Sequence, residues 1–466
     1  MIDFSLITRK KEMIESLQKL LRIKSVKGEP QPNMPYGKGV FDALMKVMGL
    51  AEKLDFDSVN LYSHIGYVDY GEGDEVFAVL THLDVMPEGD GWTVPAFDGT
   101  VKDGKIYGRG AIDNKGPAIA ALYALSAIKE GCVNLNKRVR LIFGCDEESG
   151  WSDIAFYKKC NEEVPVMAIS PDAEFPIINS EKGLVQLNLS LKKYDAEGGG
   201  SELVTLNAGD RVNAVPAYCE CLLRSEARVI GELIDIFNED VPVKIEMEEK
   251  EGLLRLFAHG QSAHGSKPED GLNAASYMIA FLNQLPLKKN YLSDAVYALS
   301  QYVGLTTDGS LLGIASEDAS GALTLNMGYI KTVSDGVEVG LDIRYPVEKT
   351  QGFVVGAVMD KLKDFDLQIA FSLPAHYVPE DSELVTGLKK AYEEIVGEPA
   401  HCMAVGGATY ARAFPNAVAF GPVFPGQKGT EHQPDEYIEI DSFIKLADII
   451  ANAIVMLCSD GANACE

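Results

Sequence analysis

Nine consecutive residues indicate the fold class of this chain: Val76-Phe77-Ala78-Val79-Leu80-Thr81-His82-Leu83-Asp84. The uninterrupted apolar run at their start is typical of a strand that is buried on both faces, as in a parallel sheet. Two more apolar runs follow at 139–143 and 166–169, and segments with helical periodicity, such as 115–130, lie between the strands. This alternation predicts an α/β domain with a mostly parallel sheet and helices on both faces.

The pattern changes after residue 181. Apolar and polar residues alternate strictly at 185–192, and they do so again at 339–343. Such alternation is typical of antiparallel strands that are exposed on one face. Long helical patterns return from about Ser382. We therefore predict an α/β domain formed by residues 1–181 and 377–466, interrupted by an inserted α+β domain at 182–376.

Composition excludes several classes of protein. The 466 residues carry 42 basic and 69 acidic side chains, a net charge of −27, which argues against nucleic acid and anionic membranes as partners. The eight cysteines form no Cys-x-x-Cys pair, so neither a disulfide framework nor a thiolate zinc site is indicated. The longest apolar stretch, Ala118–Ile128, is too short to span a bilayer, and we expect no signal peptide. These features favour the cytoplasm.

Acidic and imidazole groups follow each of the three buried strands. These residues are His82 and Asp84 after the first strand, Glu147 and Glu148 after the second, and Asp172 after the third. A Gly-rich loop at 108–116 adds the carboxylate of Asp113. Ligands of open α/β sheets bind beyond the carboxyl ends of the strands, so these groups should lie close together. Each of them alone is an ordinary turn or surface residue, but together they suit one or two divalent metals of the zinc type.

Other catalytic motifs are incomplete. The chain has no His-Glu-x-x-His motif and no Walker loop. The segment Gly260–His264 lacks the final glycine of a serine hydrolase elbow. Gly108 and Gly110 lack the third glycine of a dinucleotide fingerprint, so a nicotinamide enzyme is poorly supported.

Several longer motifs resemble a known family. The segments at 81–85, 107–116 and 146–150 are similar to those of the aminoacylase/carboxypeptidase/dipeptidase family of di-zinc peptidases. The segments at 170–176, 211–216, 262–266, 342–346 and 431–436 resemble the peptidase V branch, which includes carnosinase-like Xaa-His dipeptidases. These motifs occur in family order and cover nearly the whole chain.

The resemblance implies a di-metal site. One zinc would be bound by His82, Asp113 and Asp172, and the second by Asp113, Glu148 and His432. Manganese or cobalt are alternatives to zinc. Asp84 would accept the second ring proton of His82 and fix its tautomer. Asn114 departs from the family pattern, which has a second aspartate here, and the resemblance also implies a cis peptide between Asp113 and Asn114.

The resemblance also implies roles in catalysis. Glu147 would be the general base, and His264 and Asn213 from the inserted domain would stabilise an oxyanion. Arg344 would bind the C-terminal carboxylate of the substrate. Gly407 lies in a Gly-rich loop that would let main-chain amides approach the substrate, although it is also compatible with a simple turn. The inserted domain would close as a lid.

The leading interpretation is a dipeptidase that acts on small peptides. The first alternative is a deacylase of N-acyl amino acids or a carboxypeptidase of the same family. A binding protein that has lost catalysis is a second alternative, although all five ligand positions and Glu147 are present. The inserted domain is longer than one dimerisation unit needs. We therefore expect a monomer in which His264 acts within its own chain.

Overall fold

The computed structural model describes residues 6–160, 162–250 and 252–459, which form two compact units. The first unit contains the described residues up to Ser180, together with Tyr377–Met403 and those from Ala408 onward. The second contains Glu181–His376 and the short segment Ala404–Gly407. The sequence did not indicate that this short segment belongs to the second unit.

The chain up to Glu181 alternates helices and strands. In order, these are α1 (Lys10–Leu21), α2 (Lys38–Lys53), β1 (Ser58–Leu61), β2 (Ile65–Tyr70), β3 (Val76–His82), β4 (Thr100–Lys102), β5 (Lys105–Tyr107), α3 (Lys115–Glu130), β6 (Arg138–Gly144), α4 (Ser152–Lys159), β7 (Met167–Ser170), β8 (Ala173–Glu174) and β9 (Ile177–Glu181). Helix α3 is rich in alanine, which has the highest helix propensity, and nearly all of its residues are buried.

The second unit is built around an antiparallel sheet. Its elements are β10 (Gly183–Lys192), β11 (Glu202–Ala208), β12 (Tyr218–Arg224), α5 (Ala227–Glu239), β13 (Ile245–Lys250), β14 (Leu253–His259), α6 (Ala274–Leu282), α7 (Tyr291–Tyr302), β15 (Glu317–Asp318), β16 (Gly321–Ala322), β17 (Thr324–Val333), β18 (Gly336–Tyr345), α8 (Gln351–Lys361) and β19 (Asp366–Leu373). The eight sheet strands have the order β13-β14-β12-β11-β17-β18-β10-β19.

Most of the remaining elements lie in the first unit, although His376 and the segment Ala404–Gly407 belong to the second. They are β20 (His376–Tyr377), α9 (Glu383–Val396), β21 (Cys402–Val405), β22 (Ala417–Ala419), β23 (Pro422–Val423), β24 (Tyr437–Glu439) and α10 (Ile440–Cys458). Helix α10 packs on α3, and β22 lies between β7 and β9 in the main sheet.

The main sheet of the first unit positions the site. Seven of its strands have the order β1-β2-β6-β3-β7-β22-β9. The four central strands, from β6 to β22, are parallel to one another, whereas β1, β2 and β9 pair in the antiparallel sense. The α/β class predicted from the sequence is therefore confirmed. Within the described part of the chain, no helix has the length and apolar character needed to cross a bilayer.

Candidate metal centre

The three strands with acidic or imidazole residues at their ends are neighbours. Strand β3 lies between β6 and β7, and all three run in the same direction. His82 is the last residue of β3, Glu147 and Glu148 follow β6, and Asp172 follows β7. The loop before α3 supplies Asp113, and the loop before β24 supplies His432, so five residues from distant parts of the chain converge, with Glu147 close to them.

Two groups of potential metal ligands share one carboxylate. The ligand atoms of His82, Asp113 and Asp172 all lie within 4.8 Å of one another, and so do those of Asp113, Glu148 and His432. His82 Nε2 is 2.9 Å from Asp113 Oδ1, while His432 Nε2 is 3.0 Å from Asp113 Oδ2. Asp113 therefore directs one oxygen to each group, as a bridging ligand does.

The hydrogen bonds of His82 fit a metal ligand. Its side chain is 1% exposed, and its Nδ1 donates to the main-chain oxygen of Asp84 over 2.9 Å. Its Nε2 has no hydrogen-bond partner among the described residues, although carboxylate oxygens of Asp113 and Asp172 lie 2.9 and 3.5 Å away. An imidazole nitrogen surrounded by carboxylates suits a divalent cation, and this donor set is compatible with zinc, manganese or cobalt.

The electrostatics of the cluster favour positive charge. Hydrogen bonds with Asp113 and Glu148 raise the pKa of His432 to about 11. Burial raises the pKa of Glu147 well above its usual value, and the charge of Asp172 raises it further. A proton on His432 and a bound cation both offset the mutual repulsion of these carboxylates.

The carboxylate of Asp84 does not make the contact with His82 that the sequence led us to expect. The ring of His82 is oriented by the main-chain oxygen of Asp84, while the nearest carboxylate oxygen is 3.5 Å from Nδ1. The buried carboxylate of Asp84 instead accepts the main-chain N–H groups of Glu147 and Glu148, over 3.2 and 3.1 Å. Asp84 thus holds the loop that carries both glutamates.

We expect Asp84→Asn to lower kcat/KM by about 10–100-fold, the usual effect of losing a group that orients metal ligands. An asparagine has one acceptor oxygen, so it can bind only one of the two main-chain N–H groups. Steady-state kinetics on metal-loaded protein would measure the loss, with Asp90→Asn, on the exposed surface, as control. Unchanged kinetics in Asp84→Asn would show that the loop keeps its conformation without this carboxylate.

The side chain of Asn114 explains why an amide fits its position. Its Nδ2 donates to the main-chain oxygen of Pro171 over 2.7 Å and to Oδ1 of Asp172 over 2.8 Å. Its Oδ1 accepts the main-chain N–H of His82 over 3.3 Å. A carboxylate could not donate both of these bonds. The peptide bond between Asp113 and Asn114 is cis, as the resemblance implied.

In the second unit, Asn213 and His264 lie on main-chain segments that pair with each other. Ala214 and His264 form an antiparallel bridge, and Gly265 donates its N–H to the oxygen of Asn213 over 2.7 Å. His264 Nδ1 accepts the main-chain N–H of Ser266 over 3.2 Å. The proton of the neutral ring is therefore on Nε2. Burial lowers the pKa of His264, and the charge of Arg344 lowers it further.

The loop that contains Asn213 is held by Asn326, a residue that was not predicted from the sequence. Asn326 on β17 donates two hydrogen bonds of 3.0 Å from Nδ2, to the main-chain oxygens of Val212 and Ala214. Two residues further along β17, a Cβ on Gly328 would come within 2.2 Å of the Val212 oxygen. Only glycine allows this close approach of the two main chains. No sequence motif indicated these contacts, because they depend on strand positions more than 100 residues away.

Arg344 is held by an acidic partner, Asp342, whose role was also not predicted from the sequence. Its Nε donates to Oδ1 of the fully buried Asp342 over 3.0 Å, and Gln186 donates to the other carboxylate oxygen over the same distance. Nη1 of Arg344 donates to the main-chain oxygen of Gly406, next to Gly407. The guanidinium is thus fixed in orientation within the second unit, alongside the Gly-rich segment.

Comparisons with known proteins agree with this arrangement. The family model described as peptidase family M20/M25/M40 matches residues 78–456. A relative from Bacillus subtilis (strain 168), named "Putative dipeptidase YtjP", is 38% identical over 463 residues, covering 98% of this chain and 99% of the relative. The solved structure of human carnosine dipeptidase 1 has a TM-score of 0.58 and 16% identity, and the match covers 97% of each chain.

A second solved structure, the dipeptidase Dug1p from Saccharomyces cerevisiae, has a TM-score of 0.59 and 13% identity, covering 98% of this chain and 99% of that one. At these identities the two solved structures show the fold alone. The family model covers most of the chain, and the Bacillus relative spans almost all of it. The resemblance to metallopeptidases inferred from the sequence is confirmed: the chain belongs to the M20/M25/M40 peptidase family and is a metal-dependent hydrolase.

Proposed function

We propose that this chain is a dipeptidase that hydrolyses the single peptide bond of dipeptides with a free C-terminal carboxylate. The observation that supports the proposal most strongly is the shared position of Asp113 in two groups of metal ligands, beside the half-buried Glu147. The curated relative from Bacillus subtilis carries a dipeptidase name, which agrees with this substrate class. The cytoplasmic location expected from the sequence stays a prediction.

We propose that His82, Asp113 and Asp172 hold one divalent ion, and that Asp113, Glu148 and His432 hold a second. Zinc is the proposed ion, since histidine with carboxylates is a common zinc donor set, and manganese or cobalt are alternatives that metal analysis would distinguish. When bound, the metal ions polarise the peptide carbonyl and lower the pKa of water.

We propose that Glu147 moves the proton. Its carboxylate accepts a proton from the attacking water and returns it to the nitrogen of the leaving amine. Burial favours this role, because it raises the pKa of Glu147 well above its usual value and so makes the carboxylate a stronger base. Asp84 keeps the main chain of Glu147 in place while the side chain gains and loses its proton.

We propose that residues 182–376 form a lid domain that binds the substrate. The Nε2–H of His264 and the side-chain amide of Asn213 would donate to the oxygen that becomes negatively charged. Arg344 would bind the C-terminal carboxylate, for which its fixed guanidinium is suited, and the main chain at Gly407 would approach the substrate.

A substrate panel with metal control tests this proposal. Full-length protein is assayed on Xaa-His and other dipeptides, on N-acetyl and N-succinyl amino acids, and on tripeptides. We expect hydrolysis of dipeptides that a chelator abolishes and added metal restores. Preference for N-acyl amino acids or for longer peptides would favour the deacylase or carboxypeptidase alternatives. Absence of hydrolysis on every substrate after metal addition would favour a binding protein.

A mixing experiment tests whether His264 acts within its own chain. We expect no activity when inactive His264→Ala protein is combined with inactive Glu147→Gln protein. The length of the inserted domain, residues 182–376, supports this expectation, because it exceeds what one dimerisation unit needs. Light scattering should give the mass of one chain. Activity that returns with rising protein concentration would show that subunits exchange these groups.

A further inference from the structure

Glu436 follows the loop that carries His432, and no sequence motif indicated a role for it. Its side chain is 0% exposed. Oε2 accepts a hydrogen bond from Nη1 of Arg109 over 2.7 Å. Oε1 accepts two main-chain N–H groups, from Ile112 over 3.0 Å and from Asp113 over 3.2 Å. The second of these belongs to the residue whose carboxylate is shared between the two ligand groups.

The loop at 108–113, which ends at Asp113, is also held at its beginning. Gly108 donates its N–H to the main-chain oxygen of Glu436 over 2.9 Å. Arg109, which is 1% exposed, extends its Nη2 to the main-chain oxygens of Pro87 and Glu88, each over 3.3 Å. Glu436 therefore fixes the main chain of the segment 108–113, and the positive charge of Arg109 balances the charge of the Glu436 carboxylate.

A buried ion pair does not by itself stabilise a fold strongly, because the free energy of removing both charges from water offsets much of their attraction. Nε of Arg109 also has no hydrogen-bond partner among the described residues, so the pair is not arranged for maximal hydrogen bonding. The pair instead orients the main chain, since the carboxylate of Glu436 accepts charge-assisted hydrogen bonds from the N–H groups of Ile112 and Asp113.

We infer that Glu436, with Arg109 as its counter-charge, is a positioning residue for the shared ligand Asp113. It sets the main chain at Asp113, so that the two carboxylate oxygens face the two ligand groups. The loop at 432–436 thereby contributes twice, through the imidazole of His432 and through the orientation of Asp113. The inference rests on the proposed two-metal function, but its test measures metal binding and not hydrolysis.

The experiment is a titration of metal-depleted full-length protein with Co²⁺, followed by visible absorption and equilibrium dialysis. Glu436→Gln has one acceptor oxygen, so it can satisfy either Arg109 or the main-chain N–H groups, but not both. We expect it to bind Co²⁺ about 10–100-fold more weakly than the unmodified protein and with an altered absorption spectrum. Both binding steps should weaken, because Asp113 belongs to both ligand groups.

The matched control is Asp69→Asn. Asp69 forms a two-bond ion pair with the buried Arg140 in the same unit, with both bonds at 2.7 Å, and neither residue belongs to the ligand groups. This control should lower thermal stability without changing Co²⁺ affinity or spectrum. If Glu436→Gln bound Co²⁺ as the unmodified protein does, or if Asp69→Asn weakened binding equally, the positioning role would be refuted.

If Glu436→Gln does not fold, a second variant, Arg109→Lys, tests the same inference. Arg109→Lys keeps the positive charge, but its single amine cannot reach both Glu436 and the oxygens of Pro87 and Glu88. We expect roughly 10-fold weaker Co²⁺ binding, and unchanged binding would overturn the inference. Unmodified protein that binds two Co²⁺ ions but cleaves no dipeptide would refute the proposed function and leave this inference standing.

Discussion

Glutamine in place of Glu147 should lower kcat by about 10²–10⁴-fold while the metal ions stay bound, which is the usual effect of losing a general base. The amide cannot accept a proton from water. Its main-chain bond to Asp84 does not depend on the side chain, so the loop should keep its conformation. Steady-state kinetics and elemental analysis of the same preparation would measure both quantities.

Glu148→Gln is the matched control, since it makes the same chemical change one residue along. Glu148 Oε2 is 3.1 Å from His432 Nε2, within the second ligand group. We expect this variant to lose metal affinity first and to recover activity at high metal concentration. The opposite pattern in the two variants would mean that their roles are exchanged.

Asp113→Ala should remove both metal ions and nearly all activity, because its carboxylate belongs to both ligand groups. Elemental analysis should fall from about two equivalents per chain to well below one. The loss of kcat/KM should exceed the roughly 100-fold effect typical of residues that only orient ligands.

His432→Ala provides the comparison for this result. Its imidazole belongs to the second group only, so this variant should keep about one tightly bound ion. Equal metal contents in the two variants would contradict the assignment of Asp113 as the shared ligand. Two ions retained in an active His432→Ala protein would contradict the assignment of His432.

Strands β3, β6 and β7 were predictable because apolar runs are local signals. The run at 76–80 predicted β3, and the helical pattern at 115–130 coincides with α3. Since parallel strands end at one edge of a sheet, the sequence also indicated that His82, Glu148 and Asp172 would meet there. His432 was assigned from the resemblance alone, because no periodicity connects residue 432 with residue 82.

The contacts that orient the site were not predictable, because most of them involve main-chain groups. Sequence patterns gave no reason for the carboxylate of Asp84 to hold the glutamate loop instead of the ring of His82. The same holds for Asn326 and Glu436, whose partners are main-chain groups more than 100 residues away. Such bonds depend on how strands and loops meet in three dimensions.

The position of β22 between β7 and β9 has a consequence for biosynthesis. The ribosome synthesises a chain from its N-terminus. When His376 has emerged, most of the second unit has been made. At that stage β22 is not yet made, so one edge of β7 is an unpaired strand edge, the kind that promotes aggregation. The nascent chain must carry this open edge until residues 417–419 have emerged. His432 is synthesised only after that, so the proposed set of metal ligands becomes complete last of all.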